Sequence, residues 1–184
     1  MNLYKIIAII IGFIILSGCQ DKKKQTYLKE INAMDFKIDS LDKVSKEKRV
    51  DTINSIVMSV RSTISSVKDV YFADTIDMKI ATMMNEYKEI RKVLSSNTGN
   101  ISKATKALPE VKQKLKDLEH DINEGVGERE KYQEYINYEK NKIEEIESLL
   151  DYYIITNDKY ISRYDSLHPL VVNFADSLKA HNEK

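Results

Sequence analysis

Few residues of this chain stand where chemistry could be done. Asp117 and His120 lie three apart, on one face of a helix, as metal ligands can. A carboxylate-bridged metal site in a helical bundle needs several such contributions, and no second pair accompanies this one. His120 is therefore read as a solvated surface residue. His168 and His181 have no partner at ligand spacing. There is no Gly-rich phosphate loop, and no Ser or Cys sits in a nucleophile context. Glu144, Glu145 and Glu147 alternate with Lys140 and Lys142, the pattern of a solvated helix face with local ion pairs. Neither catalysis nor a cofactor is expected.

The tyrosines are the residues worth pursuing. Seven of the eleven fall between residues 132 and 164. Tyr132, Tyr153, Tyr160 and Tyr164 sit on an apolar seam and read as core residues with the hydroxyl at the rim. Tyr138 and Tyr152 fall off the seam, on one flank, about 21 Å apart along a helix. The simpler reading is that another helix covers them. The alternative is that they anchor a protein partner or stack on sugar rings of a cell-wall polymer or another small ligand.

Composition narrows the field further. Lys and Arg total 29 and Asp and Glu total 29, without the basic surplus of a nucleic-acid-binding domain. Five Gly and two Pro are too few for a turn-rich β-sandwich. A single Cys permits no disulfide within the chain.

That Cys closes a distinctive N-terminal pattern. Ile6–Leu16 is an unbroken apolar run behind one cation, Lys5, as in the apolar stretch of a secretory signal. As a helix it reaches about 16 Å, short of the ~18 residues or more that cross a bilayer. Leu16-Ser17-Gly18-Cys19 follows and resembles the lipobox of bacterial lipoproteins. The resemblance covers residues 1–19. It implies a diacylglyceryl group on the Cys19 thiol, cleavage just before Cys19 and usually acylation of the new amine. One acyl chain anchors weakly, whereas two or three hold firmly. Residues 1–18 are thus expected to be a signal peptide, and the membrane a partner through acyl chains on Cys19. The resemblance implies the bacterial cell envelope as the compartment. Gln20 stands where some bacteria place an inner-membrane retention Asp, so the outer membrane is expected if the host has one.

Residues 19–26 read as the lipidated Cys and a flexible tether, and 27–181 as a helical domain. Tyr27, Ile31, Met34, Ile38 and Leu41 step by threes and fours, the spacing of an amphipathic helix. Val50, Ile53, Val57, Val60, Ile64, Val67 and Tyr71 continue the rhythm after a polar break at Ser45–Arg49. A third series runs Ile76, Ile80, Met83, Tyr87, Ile90, Leu94, with Asp74 or Thr75 as its N-cap. Ser95–Asn100 reads as a loop, where the helices fold back. Pro109 suits a first turn, so a helix is expected from about Leu108, with the seam Leu108, Val111, Leu115, Leu118, Ile122.

Beyond Gly125-Val126-Gly127 the seam runs Tyr132, Ile136, Ile143, Ile146, Leu150, Tyr153, Tyr160, Tyr164, Leu167. Glu139 and Asn157 interrupt it as polar residues, and Pro169 ends it. Counted in sevens, the series on either side of the two glycines keep one phase, so a continuous helix and a turn both remain open there. The expected fold is all-α: an elongated antiparallel helical bundle of long, coiled-coil-like helices. Glu128-Arg129-Glu130-Lys131 and the Tyr-rich heptads after it also resemble helical envelope lipoproteins, some described as cell-wall binding. No functional residue is carried over from that likeness. The expected function is a non-catalytic, lipid-anchored binding or scaffold module for an envelope protein. A receptor for peptidoglycan or a small ligand is the alternative.

Overall fold

The computed structural model describes the backbone of residues 3–46, 49–72 and 77–182, and side chains of 22–46, 51–72 and 77–182. All long elements are α-helices: α1 (Leu3–Lys46), α2 (Arg49–Val70), α3 (Met78–Glu124) and α4 (Tyr132–Asn182), with one 3-10 turn at Arg129–Lys131 before α4. The protein is an all-α helical bundle. The chain forms two compact units, each made of segments distant in sequence.

The first unit combines Met1–Lys43 with Lys106–Glu147. Three helical segments meet in it. Ile31, Met34, Ile38 and Leu41 of α1 are buried, as are Leu108, Val111, Leu115, Leu118 and Ile122 of α3 and Tyr132, Ile136, Ile143 and Ile146 of α4. Every seam residue expected over these stretches, apart from a half-buried Tyr27, is core.

Here α3 and α4 are antiparallel, joined at Gly125–Gly127. Both glycines have positive φ, 64° and 77°, which L side chains adopt only at a cost. Val126 N donates to Asp121 O at 3.0 Å, the 6→1 bond of a Schellman cap. The Tyr132 hydroxyl reaches back to the Asp121 carbonyl at 2.8 Å and to the Val126 carbonyl. Of the two alternatives open at these glycines, the turn is the one adopted. The shared heptad phase survives because both helices face one core.

α1 runs antiparallel to α3 and parallel to α4. Lys24 Nζ donates to Asn123 O at 2.9 Å, a cation on the carbonyl end of α3. Tyr27 meets Tyr132 edge-on, with centroids 6.3 Å apart. Lys37 Nζ pairs with Glu147 Oε2 at 2.6 Å, and Lys112 with Asp39. Residues 22–26, read from the sequence as part of a flexible tether, are helical. Lys24 has a partner that a solvated tether would not give it.

Glu139 is 9% exposed among these apolar side chains. Burial holds its carboxyl above the usual range; Lys114 opposes that and Glu110 adds to it. A raised folded value means that the fold disfavours the ionised form. The penalty is complete above the folded value and absent below the unfolded one, about 4.3. Glu139→Gln should therefore raise stability at pH 7–8. The gain should shrink as pH falls through the carboxylate range and vanish below about pH 4. Urea unfolding of both proteins across pH 3.5–8 checks this.

The second unit combines Val44–Thr105 with Ser148–Lys184. Its core holds Ile53, Ile56, Val60, Ile64 and Val67 of α2, Met84, Tyr87, Ile90, Leu94, Ile101 and Ala104 of α3, and Leu150, Tyr153, Tyr160, Val171 and Ala175 of α4. Two expected core positions move by one residue, with Ile56 and Met84 buried where Val57 and Met83 were expected. Asp77 begins α3: its Oδ1 accepts from Lys79 N at 2.8 Å and Ile80 N at 3.4 Å, as an N-cap does. The expected caps Asp74 and Thr75 lie outside the described residues.

Three sequence expectations are corrected here. Ser95–Asn100 is not a loop, since α3 passes straight through it. Asn97 occupies the seam step between Leu94 and Ile101 and is 2% exposed. The hydroxyls that suggested a turn bond instead to carbonyls of their own helix, Ser96 to Val93 and Thr98 to Ser95. Second, Pro109 lies inside α3 rather than at a helix start. Third, Pro169 lies inside α4 and does not end it. Both prolines are exposed, so the carbonyl left without its amide faces water, and long helices packed on both sides of the site outweigh the local cost.

Candidate binding surface

α4 carries the residues singled out as partner-binding. Tyr138, in the first unit, and Tyr152, in the second, are each 59% exposed. No helix covers either ring, which corrects the simpler expectation. Both lie off the apolar seam, whose positions are filled by Ile136, Ile143, Leu150 and Tyr153. Nothing in the packing therefore requires them to be aromatic. Tyr138 carries Lys142 Nζ over its ring, 5.9 Å from the centroid, one helical turn away, and Tyr135 beside it is 37% exposed. In the second unit Tyr152 is followed one turn on by Ile155, 68% exposed. A single exposed apolar residue is ordinary. An aromatic with a neighbour of the same kind at i+3 is a small contact surface of the kind that anchors partners.

The metal reading of Asp117 and His120 gains no support. Asp117 accepts from Gln113 Nε2 at 2.9 Å, His120 is exposed, and no cluster of three or more potential ligands occurs among the described residues. His181 is exposed.

His168 has a different role. Its Nδ1 lies 2.6 Å from the Tyr87 hydroxyl. Its ring stacks on Tyr164 at 4.5 Å and on Tyr87 at 6.0 Å. The Tyr164 hydroxyl in turn sits 2.9 Å from Ser59 Oγ. Burial pushes Tyr87 up to about 12; the Thr63 hydroxyl partly offsets this and Tyr164 adds to it. The phenol stays protonated near neutrality, and which of the two groups donates in its bond to the imidazole is set by the imidazole tautomer. His168 directly precedes Pro169, a position biased away from helical backbone. It stays helical, with Tyr87 and Tyr164 against its ring.

A second polar cluster ties α3 to α4. Asn97 Nδ2 donates to Asn157 Oδ1 at 2.9 Å and to Tyr153 O at 3.0 Å. Asn100 Nδ2 donates to Asn97 Oδ1 at 2.9 Å. Asn157 is fully buried, and its Nδ2 has no partner among the described residues. The sequence marked Asn157 as a polar interruption of the seam. It missed Asn97, although the step of three from Leu94 and four to Ile101 was there to be counted.

Cys19 and the lipobox lie outside the residues whose side chains are described. Among the described residues no helix is long and apolar enough to cross a membrane. No protein-family model, curated protein or solved structure matches this chain.

Proposed function

We propose that this chain is a lipid-anchored protein of the bacterial cell envelope that works as a non-catalytic helical binding module. Acyl chains on Cys19 hold it at a membrane, the outer one where the host has two. Exposed aromatic side chains of α4 take up an envelope protein. One observation carries the binding half: Tyr138 and Tyr152 are each 59% exposed at positions where the bundle needs no aromatic. Tyr offers a broad, rigid contact with few rotors to freeze, and such residues dominate binding energy when a partner desolvates them. The anchoring half rests on Leu16-Ser17-Gly18-Cys19.

A photo-crosslinking amino acid placed at position 138 or 152 in producing cells should capture one protein of discrete mass. Tyr138→Ala should weaken that complex about five- to thirtyfold, equivalent to ~1–2 kcal/mol. Crosslinks spread over many proteins, or an unchanged affinity in Tyr138→Ala, would remove the protein-partner reading. A cell-wall polymer is the alternative partner. It is favoured by Lys142 over the Tyr138 ring, which sets a cation beside a flat apolar face suited to an acidic glycan. Co-sedimentation with purified peptidoglycan, lost in Tyr138→Ala, would select it.

A further inference from the structure

In the first unit the backbone of the α3–α4 turn is closed on itself. A helix end normally leaves its last carbonyls to water. Here protein donors take several of them. The Asp121 carbonyl accepts from Val126 N at 3.0 Å and from the Tyr132 hydroxyl at 2.8 Å, and the Val126 carbonyl accepts from that same hydroxyl. The Asn123 carbonyl accepts from Lys24 Nζ at 2.9 Å. Between Gly125 and Gly127, Val126 is 47% exposed at the tip. A turn that shows an apolar side chain and satisfies these carbonyls internally can enter a poorly hydrated layer without stranding them.

The same turn stands at the N-terminal end of α1. Lys24 is fixed to Asn123, and Tyr27 packs edge-on against Tyr132. Because α3 runs antiparallel to α1, the chain past Asn123 continues toward the start of α1. Cys19 lies on that helix five residues before Lys24, about 7.5 Å along the axis, and the turn takes up part of that height. Cys19 is only three residues from Lys22, a reach of ~10 Å at most even for extended chain. Charge does not select this end. Lys22, Lys23 and Arg129 stand against Asp121, Glu124 and Glu130, and Lys131 pairs with Glu128. The short link to Cys19 selects it.

We infer that the α3–α4 turn is a lipid-contacting surface: with Cys19 acylated, Val126 rests in the head-group layer of the bilayer, and α1 leads the first unit away from it. This inference rests on the anchoring half of the proposed function and not on the exposed tyrosines. Phe36, 78% exposed on the same unit, lies seventeen residues past Cys19, about 25 Å further along α1, and stays in water.

Cys19 is the chain's only cysteine, and acylation consumes its thiol. Val126→Cys and Phe36→Cys therefore each supply a single thiol for a bimane probe. Each variant is isolated from producing cells, its acylated N-terminus verified by intact mass and its circular dichroism spectrum matched to wild type. It is then placed in phosphatidylcholine vesicles whose lipid carries a nitroxide near the head group. The probe at 126 should lose most of its emission, in high salt as in low, and the probe at 36 should keep its own. A flexible Gly-Ser insert after Gln20 should restore emission at 126, because the turn is then no longer held at the surface. With acylated Cys19, equal emission at 126 and 36, or quenching at 126 that high salt or the insert leaves respectively absent or unchanged, would overturn the placement while the anchor stands. An unmodified N-terminus would overturn both.

Discussion

Truncating Tyr87 to alanine should lower the unfolding free energy by about 3–5 kcal/mol, the range for removing a large aromatic from a closed core. Tyr87 is fully buried, beside the stacked rings of Tyr164 and His168. The loss has two parts. One is the ring volume, which helices pinned on three sides cannot close over. The other is the hydroxyl hydrogen-bonded to His168 Nδ1. Tyr87→Phe separates them: it keeps the ring, leaves the imidazole Nδ1 without that bond and should cost only about 1–2 kcal/mol. Urea unfolding of the three proteins at pH 7.5 measures both parts. A Tyr87→Ala cost below ~1 kcal/mol would mean that the ring does not hold the second unit together.

The Asn97–Asn157 pair carries the other large effect, and it has two signs. Asn97→Ala takes away a donor to Asn157 Oδ1 and leaves a small cavity. A loss of about 2–3 kcal/mol is expected. Asn157→Ala should cost less, because its Nδ2 already lacks a partner among the described residues. A double-mutant cycle should show a coupling of about 1 kcal/mol. Replacing both by leucine should do the opposite and raise stability, since two apolar side chains fill a seam position without a desolvation cost. The price is specificity. A buried Asn pair is satisfied in one register only, whereas Leu packs in several. The double-leucine protein should therefore melt higher yet show extra amide cross-peaks for α3 and α4. A single set of sharp peaks in that variant would show that the pair does not select the register.

The same pair explains where the sequence misled. Steps of three and four identified nearly every buried residue of α1, α2 and α4, because burial on one helix face is a local pattern that a single segment records. By residue type Ser95–Asn100 favours a turn, six such residues against one seam step through Asn97. The usual meaning of Pro109 and Pro169 as boundaries holds when a helix must survive on local propensity. Helices packed over many turns tolerate an exposed proline. Gly125 and Gly127 were ambiguous because antiparallel neighbours of one core preserve heptad phase as well as a continuous helix does. The core tyrosines were legible from spacing, but which ring meets which was not. Tyr87 and His168 are 81 residues apart, and no local rhythm pairs them. Tyr138 and Tyr152 stood off the seam in the sequence. Their exposure needed the packing of the other helices.

Intact-mass measurement of the protein isolated from cells fed a fatty-acid analogue, for the wild type and Cys19→Ala, tests the proposed anchoring most directly. The account predicts a wild-type chain that begins at Cys19 and carries the added mass of acyl chains, with no analogue on Cys19→Ala. A wild-type chain that keeps residues 1–18 with an unmodified thiol, or equal label in both proteins, would contradict it.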